Sequence, residues 1–316
     1  MSIPDQAGNA AWHYPCAPAA AADNAPPLPP PLSVPTARIR SAVTLSLAAE
    51  ARGGPFVFWD DLDATLDLIA ELGFDGVELF LPGPDGPYEQ LASRLAARNL
   101  AVAGVGTGSG WIIHRLTLTD AEPSRRAQAL AFVRAMIDLA AAWNAPAVVG
   151  SMQGRCGSDR GRAAVLGLLG ESLGELAAHA AGRGQFLLYE PLNRYETDLL
   201  HRQADAAAWL RSVGAPNARL LCDLFHMNIE EADLAGALRA AGPLVGHVHL
   251  ADSNRCAMGF GHTDGAAAAA ALREIGYGGF CSAEVLPLPD SAAAARQAIA
   301  IFRQLFPGAA VSQRIG

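Results

Sequence analysis

Short apolar runs alternate with longer amphipathic stretches along most of the chain, and the alternation begins near residue 38. The first apolar run covers residues 42–47. A helix is predicted after it, with Leu62, Leu66, Ile69 and Leu72 on one stripe, an acidic start at Asp60 or Asp61 and a stop at Gly73. Further strands are predicted at 76–80, 100–105, 147–150, 186–190, 220–223, 245–250 and 280–285. Helices follow them, near 88–98, then with Leu130, Val133 and Ile137 in register, then through Val165, Leu169, Leu173 and Leu176, and last at 291–306. A glycine-rich loop carrying Trp111 and His114 is expected after the third strand. Strictly alternating strands and helices imply parallel βαβ units. Residues 38–306 divide into eight units of about 34 residues, which predicts an α/β fold, a (β/α)8 barrel in one domain. An open doubly wound sheet would need a glycine fingerprint after its first strand, and none is there.

The barrel domain is placed at residues 38–310, with a tail at 311–316. Residues 1–37 hold nine prolines, including Pro26-Pro27 and Pro29-Pro30-Pro31, and an alanine run, and read as a disordered leader. They lack the basic start and apolar stretch of a signal peptide.

Composition narrows the chemistry. The 316 residues are 51% hydrophobic and 17% charged, enough for one large core. A net charge of −8 points away from nucleic acid and anionic membranes. There is no lysine, since all 23 basic residues are arginine. That removes a lysine Schiff base, a lysine-bound pyridoxal cofactor and a Walker-type phosphate loop. The cysteines Cys16, Cys156, Cys222, Cys256 and Cys281 are scattered and never in C-x-x-C spacing, as expected of reduced thiols in a cytoplasm. No apolar run reaches the ~18–20 residues of a membrane span.

Glu190, Asp223, His249 and Glu284 each fall at, or one residue from, the end of predicted strands five to eight. Their separations of 33, 26 and 35 residues are each one βα unit. In a barrel those ends share one mouth. Any one of these acids could be a loop ion pair or a helix cap. Three converging carboxylates without a cation would carry a heavy desolvation and repulsion cost, so the set points to a metal. Its oxygen-rich character suits Mn²⁺, Mg²⁺ or Co²⁺.

The segments Glu190-Pro191-Leu192-Asn193-Arg194-Tyr195-Glu196, Asp223-Leu224-Phe225-His226-Met227-Asn228-Ile229-Glu230-Glu231 and His247-Val248-His249, with Ser253-Asn254-Arg255, carry a resemblance. They resemble the signature blocks of the sugar phosphate isomerase/epimerase family, in the xylose isomerase-like TIM barrel superfamily, nearest to the D-tagatose and D-psicose 3-epimerases. The resemblance is dense from about Gly150 to Glu284. It implies that Glu190, Asp223, His249 and Glu284 hold one divalent metal ion, Mn²⁺ first and Mg²⁺ or Co²⁺ as alternatives. It also implies that Glu196, His226 and Arg255 touch the substrate, and that the chain forms a homo-oligomer. Ala251-Asp252 departs from the family pattern, where glycine and glutamate are usual, which bears on the choice of sugar.

These residues suit proton transfer at carbon. A metal binding O2 and O3 of a ketose acts as a Lewis acid and holds the developing enediolate. Inverting C3 needs two bases on opposite faces, and Glu190 and Glu284 are the natural pair. The expected function is therefore that of a metal-dependent sugar isomerase/epimerase of the ketose 3-epimerase kind, with a small-molecule sugar as partner. The alternative is a metal-dependent lyase or dehydratase acting on a keto-sugar or keto-glycoside. A metallo-nuclease on the same barrel would need more histidine ligands and a basic face. A binding relic would have no use for the paired bases.

Other positions have weaker readings. His247, deeper than His249, reads as a hydrogen-bonded core histidine. Glu78 ends strand two, either positioning substrate or pairing with a loop. Arg155, after Gln153, reads as a loop ion pair or as a contact to a sugar hydroxyl or phosphate. His262, in the glycine-rich stretch with Gly259 and Gly261, reads as structural.

Overall fold

The computed structural model describes residues 38–307, except 60, 158 and 159. The leader at 1–37 and the tail at 311–316 lie outside the described residues. Eight strands form the barrel: β1 (Arg40–Ser46), β2 (Gly76–Phe80), β3 (Ala101–Gly106), β4 (Ala147–Val149), β5 (Leu187–Tyr189), β6 (Ala218–Asp223), β7 (Val245–His249) and β8 (Phe280–Ala283). They pair in parallel, in sequence order, and β1 closes on β8 through Arg40 opposite Phe280 and Val43 opposite Ala283. The helices are α1 (Leu62–Leu72), α2 (Glu89–Ala97), α3 (Ser109–His114), α4 (Pro123–Ala142), α5 (Arg162–Gly182), α6 (Gln203–Ser212), α7 (Leu224–Glu230), α8 (Leu234–Ala241), α9 (Gly265–Glu274) and α10 (Ser291–Leu305).

Continuous apolar runs such as Leu187-Leu188-Tyr189 become strands because both of their faces are covered, one by helices and one by the barrel interior. The helices turn one stripe each to the sheet, as α1 does with Leu66 and Ile69. Asp61 starts α1 by accepting from the Ala64 N–H at 3.3 Å, and Gly73 ends it at φ +78°, a conformation glycine adopts without cost. The expected strands are all present, with ends shifted by at most two residues.

One expectation changes. The glycine-rich loop after β3 contains a helix, α3. Trp111 lines the mouth cavity, while His114 packs edge-on against Phe132 of α4 at 5.8 Å.

Two register shifts interrupt the ladder, at Val77/Glu78 of β2 and at Leu220/Leu221 of β6. The unpaired residues opposite them are Ala103 and Gly246, so the shifts sit beside Glu78 and His247. Such irregularities re-aim neighbouring side chains. Here they flank the buried polar group described next.

Candidate active site at the barrel mouth

Four chain segments deliver four ligand-type side chains to one point. Asp223 and His249 are the last residues of β6 and β7, and Glu190 and Glu284 lie one residue past β5 and β8. One donor atom from each lies within 4.8 Å of the others. His249 Nδ1 is 3.3 Å from Asp223 Oδ2, 3.4 Å from Glu284 Oε2 and 3.7 Å from Glu190 Oε1. Glu190 Oε1 is buried without a hydrogen-bond partner. A buried carboxylate oxygen left unpaired is costly, and a cation would satisfy it. Three carboxylates and an imidazole at these separations therefore fit a divalent, oxygen-preferring ion.

The charges oppose burial. Burial, together with the Glu284 and Asp223 charges, pushes the Glu190 carboxyl well above the usual range despite the nearby His249. Burial would also raise Asp223, but Arg255, His226 and His249 outweigh it and hold Asp223 low. His249 goes well up, because Glu78, Glu284 and Asp223 overcome the burial that would lower it.

Room for Glu190 is made by Gly150, just past β4. A Cβ there would sit 2.6 Å from Glu190 Oε2. Gln153 braces the same corner. It is fully buried, donates 3.0 Å hydrogen bonds to the carbonyls of Gly150 and Glu190, and accepts from the Tyr189 hydroxyl at 2.8 Å.

The three residues expected at the substrate also converge. His226, on α7, is 3.7 Å from both Glu190 and Glu196, and 3.2 Å from Arg255 Nη1. Burial lowers its pKa and favours the neutral ring. Arg255 sits in the left-handed region at φ +60°, its guanidinium 4.6 Å from the Phe225 ring centroid. Its Nη2 donates to Glu284 and lies 3.2 Å from Asp223 Oδ2. Glu196 is half exposed at the rim and accepts from Asn193 Nδ2 at 3.0 Å.

Glu78 resolves against a loop ion pair. It is buried beneath the cluster, where its carboxylate meets His249 Nε2 at 3.0 Å and His247 Nε2 at 2.9 Å. Burial alone would raise its pKa, but the charges of His249 and His247 hold it well below the usual carboxylate range. His247 is the hydrogen-bonded core residue expected of it. Arg155 forms neither the ion pair nor a free cation, since its guanidinium donates to the carbonyls of Glu196 and Tyr195.

The departure at Asp252 has a structural purpose. Its carboxylate accepts from the backbone N–H groups of Ser253, Gly259, Gly261 and Thr263 at 2.7–2.9 Å. Burial would raise its pKa, but those four donors bring it down to about 2. A pKa depressed on folding stabilises the fold fully above the unfolded value near 4, and the gain is lost progressively as pH falls from there through about 2. The loop that carries Arg255 is therefore pinned at every ordinary pH. Asp252→Ala is expected to destabilise the protein by on the order of 3 kcal/mol in denaturant unfolding. An unchanged unfolding midpoint would show that the loop does not depend on this carboxylate.

The mouth holds a cavity of about 290 Å³. Its floor is polar, with Glu190, His249, Glu284, His226 and Arg255, and one wall is apolar, with Phe56, Phe80, Trp111, Ile112 and Leu192.

Residues 66–305 match the xylose isomerase-like TIM barrel family model. The chain belongs to that family. It is 36% identical to the D-psicose 3-epimerase of Agrobacterium fabrum over 143 residues, which cover 45% of this chain and 49% of that enzyme. It is 31% identical to the L-ribulose 3-epimerase of Mesorhizobium japonicum over 230 residues, 69% of this chain and 73% of that enzyme. A solved structure of an L-ribulose 3-epimerase matches with a TM-score of 0.72 at 25% identity, over 88% of this chain and 99% of that one. The chain thus spans about half the length of the Agrobacterium relative in sequence. Among the described residues, no helix is long and apolar enough to cross a membrane.

Proposed function

We propose that this protein is a divalent-metal-dependent sugar isomerase that epimerises a ketose at C3. The observation carrying this reading is the convergence of Glu190, Asp223, His249 and Glu284 on one point, with both glutamates lining the cavity. Relatives named as D-psicose and L-ribulose 3-epimerases support the same reaction class.

The four side chains would hold one ion, Mn²⁺ by preference. When bound, it supplies electrophilic polarisation of the ketose carbonyl next to the C–H bond to be broken. Glu190 and Glu284 reach the centre from strands separated by β6 and β7. One carboxylate takes the C3 proton while the C–H electrons move toward C2 and its oxygen, leaving an enediolate. The opposite carboxyl returns a proton to the other face of C3, inverting that carbon, and the C2 carbonyl re-forms. Arg255 and His226 hold sugar oxygens over the floor, and Glu196 meets the sugar at the rim. The apolar wall keeps water from the reacting carbons.

Glu78 orients His249. A carboxylate accepting from Nε2–H leaves the Nδ1 lone pair facing the cluster, the usual arrangement behind a metal-ligating histidine. Glu78→Gln has one acceptor oxygen for two imidazoles, and should weaken Mn²⁺ binding about 10–100-fold by titration calorimetry. Unchanged affinity would remove Glu78 from this role.

The deciding experiment is incubation of Mn²⁺-loaded protein with ketoses in D₂O, followed by NMR and mass analysis. Deuterium at C3 with an intact skeleton supports the proposal. Loss of water or of a substituent makes the enzyme a lyase on a keto-sugar or keto-glycoside. No exchange with any ketose despite bound metal rejects the substrate class.

A further inference from the structure

A second chamber adjoins the first. It has a volume of about 470 Å³, against about 290 Å³ for the chamber over the four ligand-type residues. The two share Trp111, Ser151, Leu192 and Glu196, so they adjoin along these residues. Thr117, Gly154, Arg155 and Tyr195 line the outer chamber alone.

Its lining is unusual for a surface hollow. Among the described residues, four large apolar side chains are exposed, Trp111, Tyr195, Phe260 and Leu288. All four lie on segments that follow strands, on the mouth side of the barrel. Two of them, Trp111 at 38% and Tyr195 at 74% exposure, line the outer chamber. A flat aromatic face held open to water beside a reaction chamber is a platform for another flat, partly apolar body. The hydroxyls of Ser151, at the seam, and Thr117, farther out, make no hydrogen bond with any described residue. Glu196 offers a half-exposed carboxylate at the boundary. The chamber therefore presents aromatic faces together with open donors and acceptors. Its cations are already engaged: Arg155 gives Nε and Nη2 to the carbonyls of Glu196 and Tyr195, the Arg115 guanidinium lies 5.2 Å over the Trp111 ring, and the chain has no lysine.

We infer that the outer chamber is a subsite for a second, uncharged sugar ring, so that the preferred substrate is a ketose glycosylated at the end remote from its reacting carbons. The inference rests on the proposed sugar chemistry at the inner chamber. The C1–C3 end of the ketose enters over Glu190 and Glu284, and the glycosidic link passes the seam at Ser151 and Leu192. The C–H face of the second ring lies on Tyr195 and Trp111, and its hydroxyls reach Thr117 and Glu196. A pyranose suits such a lining because its ring face is apolar and its edge is polar.

The test compares D-fructose and D-psicose with isomaltulose and its C3 epimer, two ketoses carrying a glucosyl ring on O6, on the Mn²⁺-loaded full chain. The glucosyl ketoses are expected to show kcat/KM at least 10-fold higher. Tyr195→Ala should abolish that advantage through KM with kcat little changed, and alter the free ketoses less than 2-fold. Preference for the free ketoses, or an equal effect of Tyr195→Ala on both classes, overturns the subsite while leaving the epimerase proposal standing. If neither class reacts, the epimerase proposal falls, and calorimetry decides the subsite separately. Isomaltulose binding that is lost in Tyr195→Ala supports it, and binding absent or equal in both proteins overturns it.

Discussion

Glu284→Gln is expected to bind a ketose with an affinity close to that of the parent enzyme, yet to epimerise it more slowly by a factor of about 10²–10⁴ at saturating Mn²⁺. Glutamine keeps the shape of the side chain and one acceptor oxygen, so Arg255 Nη2 retains a partner and the cavity wall stays in place. What is lost is the ability to carry a proton. The two-base arrangement makes a sharper prediction than a rate. With Glu284 disabled, Glu190 still faces one side of C3, so one C3 epimer should exchange its C3 hydrogen with D₂O without inverting. Glu190→Gln should show the mirror behaviour, with exchange of the opposite epimer only. Each variant is assayed with both epimers by NMR in D₂O. Exchange of both epimers in either variant, or near-parent turnover in Glu284→Gln, would falsify the pairing of these two glutamates.

Mn²⁺ should stabilise the fold strongly, and a chelator should remove both that gain and the activity. Asp223 is fully buried and Glu190 nearly so, and Glu190 Oε1 has no hydrogen-bond partner. A cation that binds these groups only when folded adds about 2.7 kcal/mol at 100 times its dissociation constant. For a domain of this size that corresponds to a rise in Tm of about 5 °C or more. The increase should vanish in Asp223→Asn, because that change removes a charge from the middle of the donor set without altering its volume. A Tm indifferent to Mn²⁺ in the parent protein would mean the four side chains do not form a metal site, whatever their geometry.

Much of the fold was legible because a parallel barrel converts sequence period into position. Each βα unit advances one strand around the ring, and apolar runs of four to seven residues bounded by amphipathic stretches admit no better packing. The same rule made Glu190, Asp223, His249 and Glu284 readable as a group, since residues one unit apart at strand ends must share the mouth. Glu196, His226 and Arg255 were legible only through resemblance of the motifs around them. Nothing in their spacing alone shows that His226 lies 3.2 Å from Arg255. The glycines of α3 weaken its local helix preference, and packing of Gly110 against Met152 and Phe132 overrides it.

What the chain by itself determined is the order of elements, the closed barrel that order implies and the chemical character of its mouth. These follow from local periodicity and from the residue types at strand ends. Only the tertiary structure decided the role of Glu78, which meets His247 and His249 across 169 and 171 residues of sequence. β2 and β7 are not neighbours in the sheet, so their side chains touch only across the barrel interior. No pattern along the chain records a distance through that interior. The same holds for Asp252, whose carboxylate is satisfied by backbone groups up to 11 residues away, and for the outer chamber, whose walls come from the segments after β3, β4 and β5. Contacts along the chain and around the ring follow from sequence order, while contacts across the ring exist only once it has closed.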